Sequence, residues 1–105
     1  MNNFNIAGNI ATDLQPRVLP GEKGTSVVEA LLAVDKPTAG SDAEFIPFVV
    51  YGPAADALAK FNAKGSPIAI SGHIEMDRWK DGEDNNRSRL VLVAERVTYR
   101  DGRRA

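Results

Sequence analysis

The ten residues HIEMDRWKDG, at positions 73 to 82, contain the only tryptophan of the chain. Arg78 and Lys80 flank Trp79, and an Asp-Gly pair typical of a tight turn follows directly. A tryptophan at the mouth of a predicted hairpin is expected to be exposed rather than buried, and that exposure calls for a functional reason.

Hydrolytic, redox and metal chemistry lack their usual residues in this sequence. There is no cysteine, and the single histidine, His73, has no sequence neighbour arranged for nucleophilic catalysis and no second candidate metal ligand nearby. No glycine-rich phosphate-binding motif and no carboxylate pair at a recognisable spacing is present. The sequence therefore predicts a protein that is not an enzyme and needs no cofactor or metal, with His73 as a surface residue.

Charge is distributed unevenly along the chain. The net charge is −1, but residues 1–52 carry three basic and six acidic side chains, whereas residues 53–105 carry ten and eight. Only the second half can supply a positively charged face. Because the pI is about 5.8, any nucleic-acid binding has to depend on local patches and stacking rather than on bulk charge.

The length and the N-terminal sequence indicate one domain in the cytoplasm. A chain of 105 residues can bury one hydrophobic core. The start MNNFNIAGNIA does not have the pattern of a secretory signal, and no apolar run reaches membrane-spanning length. The absence of cysteine gives no indication of an oxidising compartment, so we expect a cytoplasmic protein without a membrane partner.

Three strands are predicted in the first half of the chain. Residues 4–10 alternate between apolar and polar types, which is typical of a strand. The apolar run at 25–35 is compatible with helix or strand, but its β-branched residues and the loop-like PTAGSDA after it favour a strand paired with residues 44–52. Pro47 implies an edge position or a bulge there.

The second half predicts a helix at 53–64 followed by two strands, SPIAISGHIEMDRW and LVLVAERVTY. Pro53 suits the first helical turn, and Gly65 can supply the C-terminal cap. The helix has an apolar stripe that can dock on a sheet, formed by Ala54, Leu58 and Phe61.

This order, three strands, a helix and two strands, predicts an all-β fold with one helix. Gly8 and Gly72 lie centrally in the first and fourth strands, where a strongly curved small barrel needs glycine. A five-stranded Greek-key barrel with a helix between strands 3 and 4 is the OB-fold, although an SH3-like barrel also fits the pattern. We assign residues 1–100 to this domain and 101–105 to a short basic tail.

Four segments carry a family resemblance across residues 3–99. They are GNIATD, PRVLPG, EFIPFVVYGPAADALAKFNAKGSPIAISGHI and RWKDG. No single segment is specific, but their combined order resembles the bacterial single-stranded DNA-binding protein family, which has the OB-fold.

The resemblance implies binding of single-stranded DNA without reading its sequence. Every base has a π-face, so stacking on exposed aromatic rings is worth about 1–3 kcal/mol per base, and basic side chains follow the phosphates. By position, the resemblance assigns stacking to Phe45, Tyr51 and Trp79. It assigns backbone contacts to Arg17, Arg78, Lys80, Arg87 and Arg89.

Other interpretations of the same residues stay open. An aromatic residue in a small barrel packs in the core by default, which we predict for Phe4, Phe48 and Phe61. Phe45 and Tyr51 share a strand face only if the strand stays regular across its proline. The basic residues near the hairpin could pair with the acidic residues interspersed among them instead of binding phosphate.

The sequence also departs from the family pattern. Asn3, Glu75 and Asp77 stand where relatives usually carry basic residues, which should lower the affinity for DNA. One aromatic position is missing in AVDKPTAG, and the linker with an acidic tip through which relatives recruit other enzymes is absent. Ile46 replaces the histidine of the family's tetramer contact.

Two functions therefore compete. The leading hypothesis is binding and protection of single-stranded DNA in replication, recombination or repair, by a homo-oligomer that is a tetramer in preference to a dimer. The alternative is an accessory module similar to primosomal replication protein N, which has the same barrel and acts through contacts with other replication proteins. Replication or repair proteins are possible partners in both cases.

Overall fold

The computed structural model describes residues 1–18, 24–35 and 43–99. The turn signal at Pro20 and Gly21, most of the loop before residue 44 and the tail 101–105 lie outside the described residues. Within the described ranges no helix is long and apolar enough to cross a membrane. The strands and the helix there follow the order β1 (Phe4–Ile10), β2 (Arg17–Val18), β3 (Ser26–Val34), β4 (Glu44–Tyr51), α1 (Pro53–Phe61), β5 (Pro67–Lys80) and β6 (Asn86–Tyr99).

The strands form one sheet that closes on itself. Its order is β1-β5-β6-β4-β3-β2, and an additional pairing of β1 with β3 joins the two sides. All neighbours are antiparallel except β4 and β6, which are parallel. The five long strands form the barrel, two-residue β2 adds to the outside of β3, and α1 connects the third long strand to the fourth. The predicted OB-fold is confirmed.

The core fills the inside of this barrel. Alternate residues of each long strand point inward, as the period-2 pattern of the sequence predicts. One connected cluster contains the large fully buried side chains Ile10, Val28, Leu32, Phe48, Val50, Leu58, Ile68 and Ile70. Phe4 packs against this cluster from a partly buried position, so the predictions for Phe4 and Phe48 are confirmed.

Gly8 and Gly72 lie where strands approach each other too closely for a side chain. A Cβ atom on Gly8 would overlap the backbone carbonyl of Ala33, and one on Gly72 would overlap that of Val93. Gly72 also marks a shift in the β5–β6 register, in which Ser71 pairs with Arg96 and Gly72 pairs with Ala94. Glycine is therefore required at both positions by the close approach of the neighbouring backbone.

The predicted buried stripe of α1 is correct at Leu58 and wrong at Ala54 and Phe61. The helix buries Ala55 and Leu58, whereas Ala54 is exposed and 66% of Phe61 is accessible. The apolar stripe at 55, 58 and 59 has the spacing of one helix face, and it alone packs against the barrel core. Phe61 is instead covered in part by Lys60, whose Nζ lies 5.4 Å from the ring centroid.

The helix also ends earlier than predicted. Its C-cap is Asn62, whose backbone N–H donates to the Leu58 carbonyl at 3.0 Å. Gly65 lies in the following turn with φ 98°, a conformation that favours glycine. Its N–H donates to the Ile10 carbonyl at 2.7 Å, and Asn9 Nδ2 donates to the Gly65 carbonyl at 3.1 Å. Gly65 thus ties the helix exit to the end of β1 instead of capping α1.

Pro47 lies inside β4 without breaking its pairing with β3. Its register partner Leu31 directs both of its backbone groups away from β4. The Leu31 N–H donates to Thr12 Oγ1 at 3.1 Å, and the Leu31 carbonyl accepts from the Ala11 N–H at 2.8 Å. Antiparallel strands alternate between bonded and non-bonded pairs, so Pro47 occupies a non-bonded position. The pairing of β4 with β6 begins only at Phe48, so residue 47 does not need a backbone N–H donor on that side either.

The Asn2 side chain connects the N-terminal segment to β5 by two hydrogen bonds. Its Oδ1 accepts from the Ile74 N–H and its Nδ2 donates to the Ile74 carbonyl, both at 2.9 Å. Replacing Asn2 by alanine is expected to lower the free energy of unfolding by about 1 kcal/mol, because two exposed hydrogen bonds are lost. Urea denaturation of Asn2→Ala and of Asn3→Ala tests this. An equal loss for the two variants would contradict the assignment.

Candidate nucleic-acid interface

Two of the predicted stacking residues lie on the outer face of β4. The β3–β4 register runs without a break from Val27 opposite Tyr51 to Val34 opposite Glu44. Phe45 and Tyr51 are six residues apart, and the unbroken alternation places both rings outside the barrel, 61% and 47% exposed. The bulge considered at Pro47 is absent from this strand.

A buried valine patch extends over the sheet surface next to these rings. Val27, Val49, Val91 and Val93 form a small cluster of their own, separate from the core, with contributions from three neighbouring strands. A groove runs over the patch, between a wall from β3 and β4 and a wall from β5 and β6. Its polar and aromatic lining includes Glu29, Tyr51, Glu75, Asp77 and Arg89. We call this surface, with Phe45, the open face.

Trp79 lies near the end of a two-stranded arm. The β4–β6 pairs run from Phe48 opposite Leu92 to Val50 opposite Ala94, whereas β5 and β6 stay paired as far as Lys80 opposite Asn86. The ends of β5 and β6 therefore extend past β4 as an arm, which is longer than the sequence predicted because residues 86–89 are strand rather than loop. Trp79 is 45% exposed, and alternation puts it on the same side of β5 as Glu75 and Asp77.

The turn at the tip of the arm is organised by Asp81. Its Oδ1 accepts from the N–H groups of Glu83 at 2.9 Å and Asn85 at 3.0 Å, and its Oδ2 accepts from Arg87 Nε at 2.8 Å. The hydrogen bond from Asn85 and the one from Arg87 are the main causes that hold the pKa of Asp81 below its ordinary value of 3.8. Each of these bonds favours the charged carboxylate.

Acid is therefore expected to loosen the tip. Since the pKa of Asp81 is lower in the folded arm, its stabilising effect is complete above about pH 4 and is lost as the pH falls through the folded value. Asp81→Asn should remove the effect at neutral pH, with several-fold faster exchange of the Asn85 amide proton by NMR and a changed Trp79 emission. Unaltered exchange at Asn85 in this variant would contradict the role of Asp81, and circular dichroism checks that the barrel stays folded.

Most of the basic candidates are held by carboxylates. Among the described residues, Arg78 has no ion-pair partner, while the other four each contact one acidic side chain. The N–O distances are 2.9 Å for Arg17–Glu29, 3.5 Å for Lys80–Asp84, 2.8 Å for Arg87–Asp81 and 3.3 Å for Arg89–Asp77. The pairing within the hairpin that the sequence left open is thus present in the structure.

The structure brings some of these residues together and separates others. Arg17 pairs in register with Val27, and Val27 pairs with Tyr51, so Arg17 lies two strands from that ring, about 10 Å away. Arg87 is the register partner of Trp79. Alternation puts Arg78 and Lys80 on the opposite side of the arm from Trp79, although they are its sequence neighbours.

Sequence reasoning missed the valine patch and the carboxylate on β3. In the run LVLVA the inward and outward positions are both apolar, and this was the available signal that β6 is covered on both faces. Nothing in the sequence connects Glu29 to Arg17, because their contact depends on the β2–β3 register. Within the described residues no group of His, Cys, Asp and Glu side chains is arranged to hold a metal ion.

The barrel, the exposed rings on its open face and the arm can be compared with known proteins. The model of the single-strand binding protein family matches residues 1–99. The chain belongs to this family. The match to the single-strand binding protein family includes every described strand and the helix.

Curated members of the single-strand binding protein family are similar along nearly the whole chain. Single-stranded DNA-binding protein 3 of Clostridium acetobutylicum is 35% identical over 103 residues, which cover 94% of this chain and 70% of the relative. The single-stranded DNA-binding protein of Clostridium tetani is 32% identical with the same coverage. That of onion yellows phytoplasma is 26% identical, and the alignment covers 98% of this chain and 97% of the relative.

Proposed function

We propose that this protein binds and protects single-stranded DNA without reading its sequence, in replication, recombination or repair. The observation that carries the proposal is the exposure of Phe45, Tyr51 and Trp79 on a barrel that buries Phe48 completely. Relatives that are 35% and 32% identical to this chain are named for binding single-stranded DNA. The proposed binding domain spans residues 1–100.

Stacking supplies most of the proposed affinity. Phe45 and Tyr51 lie about 20 Å apart along β4, so they contact different nucleotides of the same strand. The valine patch between them offers an apolar surface to the sugar and base edges that pass over the groove. Trp79 extends the path of the DNA along the arm, away from the barrel. Because every base has a π-face, this arrangement tolerates any sequence.

A DNA phosphate would bind a basic side chain by displacing the carboxylate that is paired with it. Arg17 and Arg89 are each held by a carboxylate of the groove lining, so a phosphate has to replace Glu29 or Asp77 before it can bind. An exposed ion pair contributes little net stability, so the exchange is feasible, but it returns a free carboxylate to the binding face. Arg78 needs no such exchange, since it has no ion-pair partner among the described residues, but it lies on the side of the arm opposite Trp79. The electrostatic part of the affinity should therefore be modest.

A titration with oligo-dT tests the proposal. Trp79 is the only tryptophan, so quenching of its fluorescence on addition of oligo-dT reports directly on the arm. The logarithm of the affinity should fall with the logarithm of salt concentration with a slope near −0.7 per phosphate contacted. No quenching and no change in the anisotropy of a labelled oligonucleotide at low salt would overturn the proposal. Hydrolysis of the oligonucleotide with a divalent metal would contradict a purely binding role.

We also propose self-association through β1. Along Phe4–Asn9 this strand pairs with β5, but its pairing with β3 is limited to Asn9 and Ile10. The remaining edge of β1 has backbone groups without a strand partner among the described residues, and such an edge can pair with a second copy. A homotetramer is proposed in preference to a dimer. Sedimentation velocity distinguishes these states, and a monomer would refute the association.

One observation favours a second candidate function. Glu29, Glu75 and Asp77 line the open face, and the only guanidinium groups that contact them, those of Arg17 and Arg89 among the described residues, are used in ion pairs with Glu29 and Asp77. A weakly DNA-binding accessory module that acts through contacts with replication proteins is consistent with such a face. This candidate would gain if oligo-dT bound only at low salt and Trp79→Ala left cellular function intact.

A further inference from the structure

His73 lies between two carboxylates on different strands. Its Nε2 is 2.7 Å from Glu75 Oε2 on β5, and its Nδ1 is 2.6 Å from Glu95 Oε2 on β6. Glu95 is the extra residue of the register shift at Gly72, so it has no partner opposite it on β5. The shift leaves Glu95 and Arg96 both exposed, and it brings the Glu95 carboxylate to the histidine ring. We call these three side chains the His73 clamp.

The geometry of the clamp requires a charged ring. A neutral imidazole has one N–H donor, and only the imidazolium has a donor on each nitrogen. Two carboxylates within hydrogen-bond distance of opposite nitrogens are therefore both satisfied only when His73 is protonated. In accordance with this, the hydrogen bond to Glu75, followed by the one to Glu95, raises the pKa of His73 above 6.5. Because the two nitrogens point in opposite directions, the clamp cannot hold one metal ion through the ring and both carboxylates.

The clamp adjoins the open face. His73 is the register partner of Val93, which belongs to the valine patch, and Glu75 is part of the groove lining. A protonated clamp carries a net charge of −1, and a deprotonated clamp carries −2. The additional negative charge would lie next to the path that the phosphates of bound DNA are proposed to follow.

We propose that the His73 clamp couples proton binding to the binding of single-stranded DNA. The inference rests on the proposed function. DNA phosphates disfavour the −2 state, so bound DNA stabilises the protonated ring and, by linkage, protonation strengthens DNA binding. The affinity is constant below the pKa of His73 in the free protein, falls as the pH rises through that pKa, and becomes constant again above the pKa of the complex.

Other charged groups surround the clamp and define the controls. On β5 the next carboxylate is Asp77, which is paired with Arg89 of β6, and Arg96 of β6 lies opposite Ser71. From β4 the open face presents uncharged residues, beyond it β3 contributes the Glu29–Arg17 pair, and Asp13 lines the same groove as Glu75. Asn2 also holds the N-terminal segment, which carries the amine of Met1, next to Ile74, so the test needs a variant that removes only the imidazole.

The experiment measures anisotropy of labelled oligo-dT from about pH 6 to about pH 9 at constant ionic strength, for the unaltered chain and for His73→Gln. For the unaltered chain we expect affinity to fall about threefold to tenfold across this range. His73→Gln cannot titrate, so its affinity should change less than about twofold and match that of the unaltered chain at high pH. Glu95→Gln is expected to shift the transition to lower pH, since one of the two bonds to the charged ring is weakened.

NMR of the histidine ring provides a readout that does not depend on affinity. The chain has one histidine, so the ring signals have a single source, and their titration should move to higher pH when oligo-dT is bound. Binding with the same pH profile in the unaltered chain and in His73→Gln would overturn the coupling and leave the proposed function intact. Absence of binding at every pH would instead overturn the proposed function. A ring titration that is unaffected by bound DNA would also refute the coupling.

Discussion

Replacing Trp79 by alanine is expected to weaken binding to oligo-dT by about 1–3 kcal/mol, equivalent to an affinity about 5- to 150-fold lower. The ring is 45% exposed near the end of an arm that pairs only with itself, so its removal leaves the barrel core untouched. The loss should be similar for oligonucleotides of different sequence, because stacking does not depend on the base. Anisotropy of labelled oligonucleotides measures it.

Phe61 supplies the matched control for this experiment. It is an aromatic residue with 66% of its surface accessible, but it lies on α1 and not on the open face or the arm. Phe61→Ala should therefore bind oligo-dT as the unaltered chain does. If Trp79→Ala retained full affinity, or if both variants lost affinity equally, Trp79 would not be a stacking residue. Thermal denaturation of both variants confirms that they are folded.

Gly72→Ala is expected to lower the free energy of unfolding by about 3 kcal/mol. The new methyl group would overlap the Val93 carbonyl and crowd the Glu95 N–H, and these are backbone atoms that cannot move aside as a flexible side chain can. Either the β5–β6 pairing opens locally or the register shift moves along the strands. Both results disturb the barrel at its β5–β6 register shift. Denaturation by urea, with the slope checked against the unaltered chain, measures the loss.

Gly82 is the control for the glycine prediction. It lies in the turn of the arm with open space around its Cβ position, and it is not among the glycines with positive φ. Gly82→Ala should thus change the free energy of unfolding by less than about 0.5 kcal/mol. A similar cost for both variants would show that backbone entropy, rather than the overlap at residue 72, determines the effect.

Local patterns were sufficient to predict the order of strands and helix in the barrel, whereas the outer position of Phe45 and Tyr51 followed from the pattern only on the condition that β4 stays regular. The period-2 alternation from Glu44 to Tyr51 places Phe45 and Tyr51 on one face because the strand stays regular, as the β3–β4 register shows. Pro47 did not interrupt this alternation, since it occupies a position where no donor is needed. These features depend on residues close together in sequence, which is why the sequence was informative about them.

Features that depend on register could not be predicted. The Arg17–Glu29 pair requires β2 to add to β3, and the bond from His73 to Glu95 requires one extra residue on β6. The stripe on α1 was misassigned because a nine-residue helix contacts the barrel through little more than two turns, and several apolar spacings fit so short a helix. Its exposed Phe61 shows that packing, and not apolar character, decides which face is buried.

The arm has a further consequence for how such proteins can diverge. Beyond the end of its pairing with β4, strand β6 pairs only with β5. The paired residues of the arm, from Asp77 opposite Arg89 to Lys80 opposite Asn86, contribute no side chain to the core. Removing or inserting matched pairs of residues there would change the reach of the molecule while the interior stayed the same. If single-stranded DNA follows the arm as proposed, small insertions and deletions in this one hairpin would change the length of DNA that one copy of the chain covers, independently of folding.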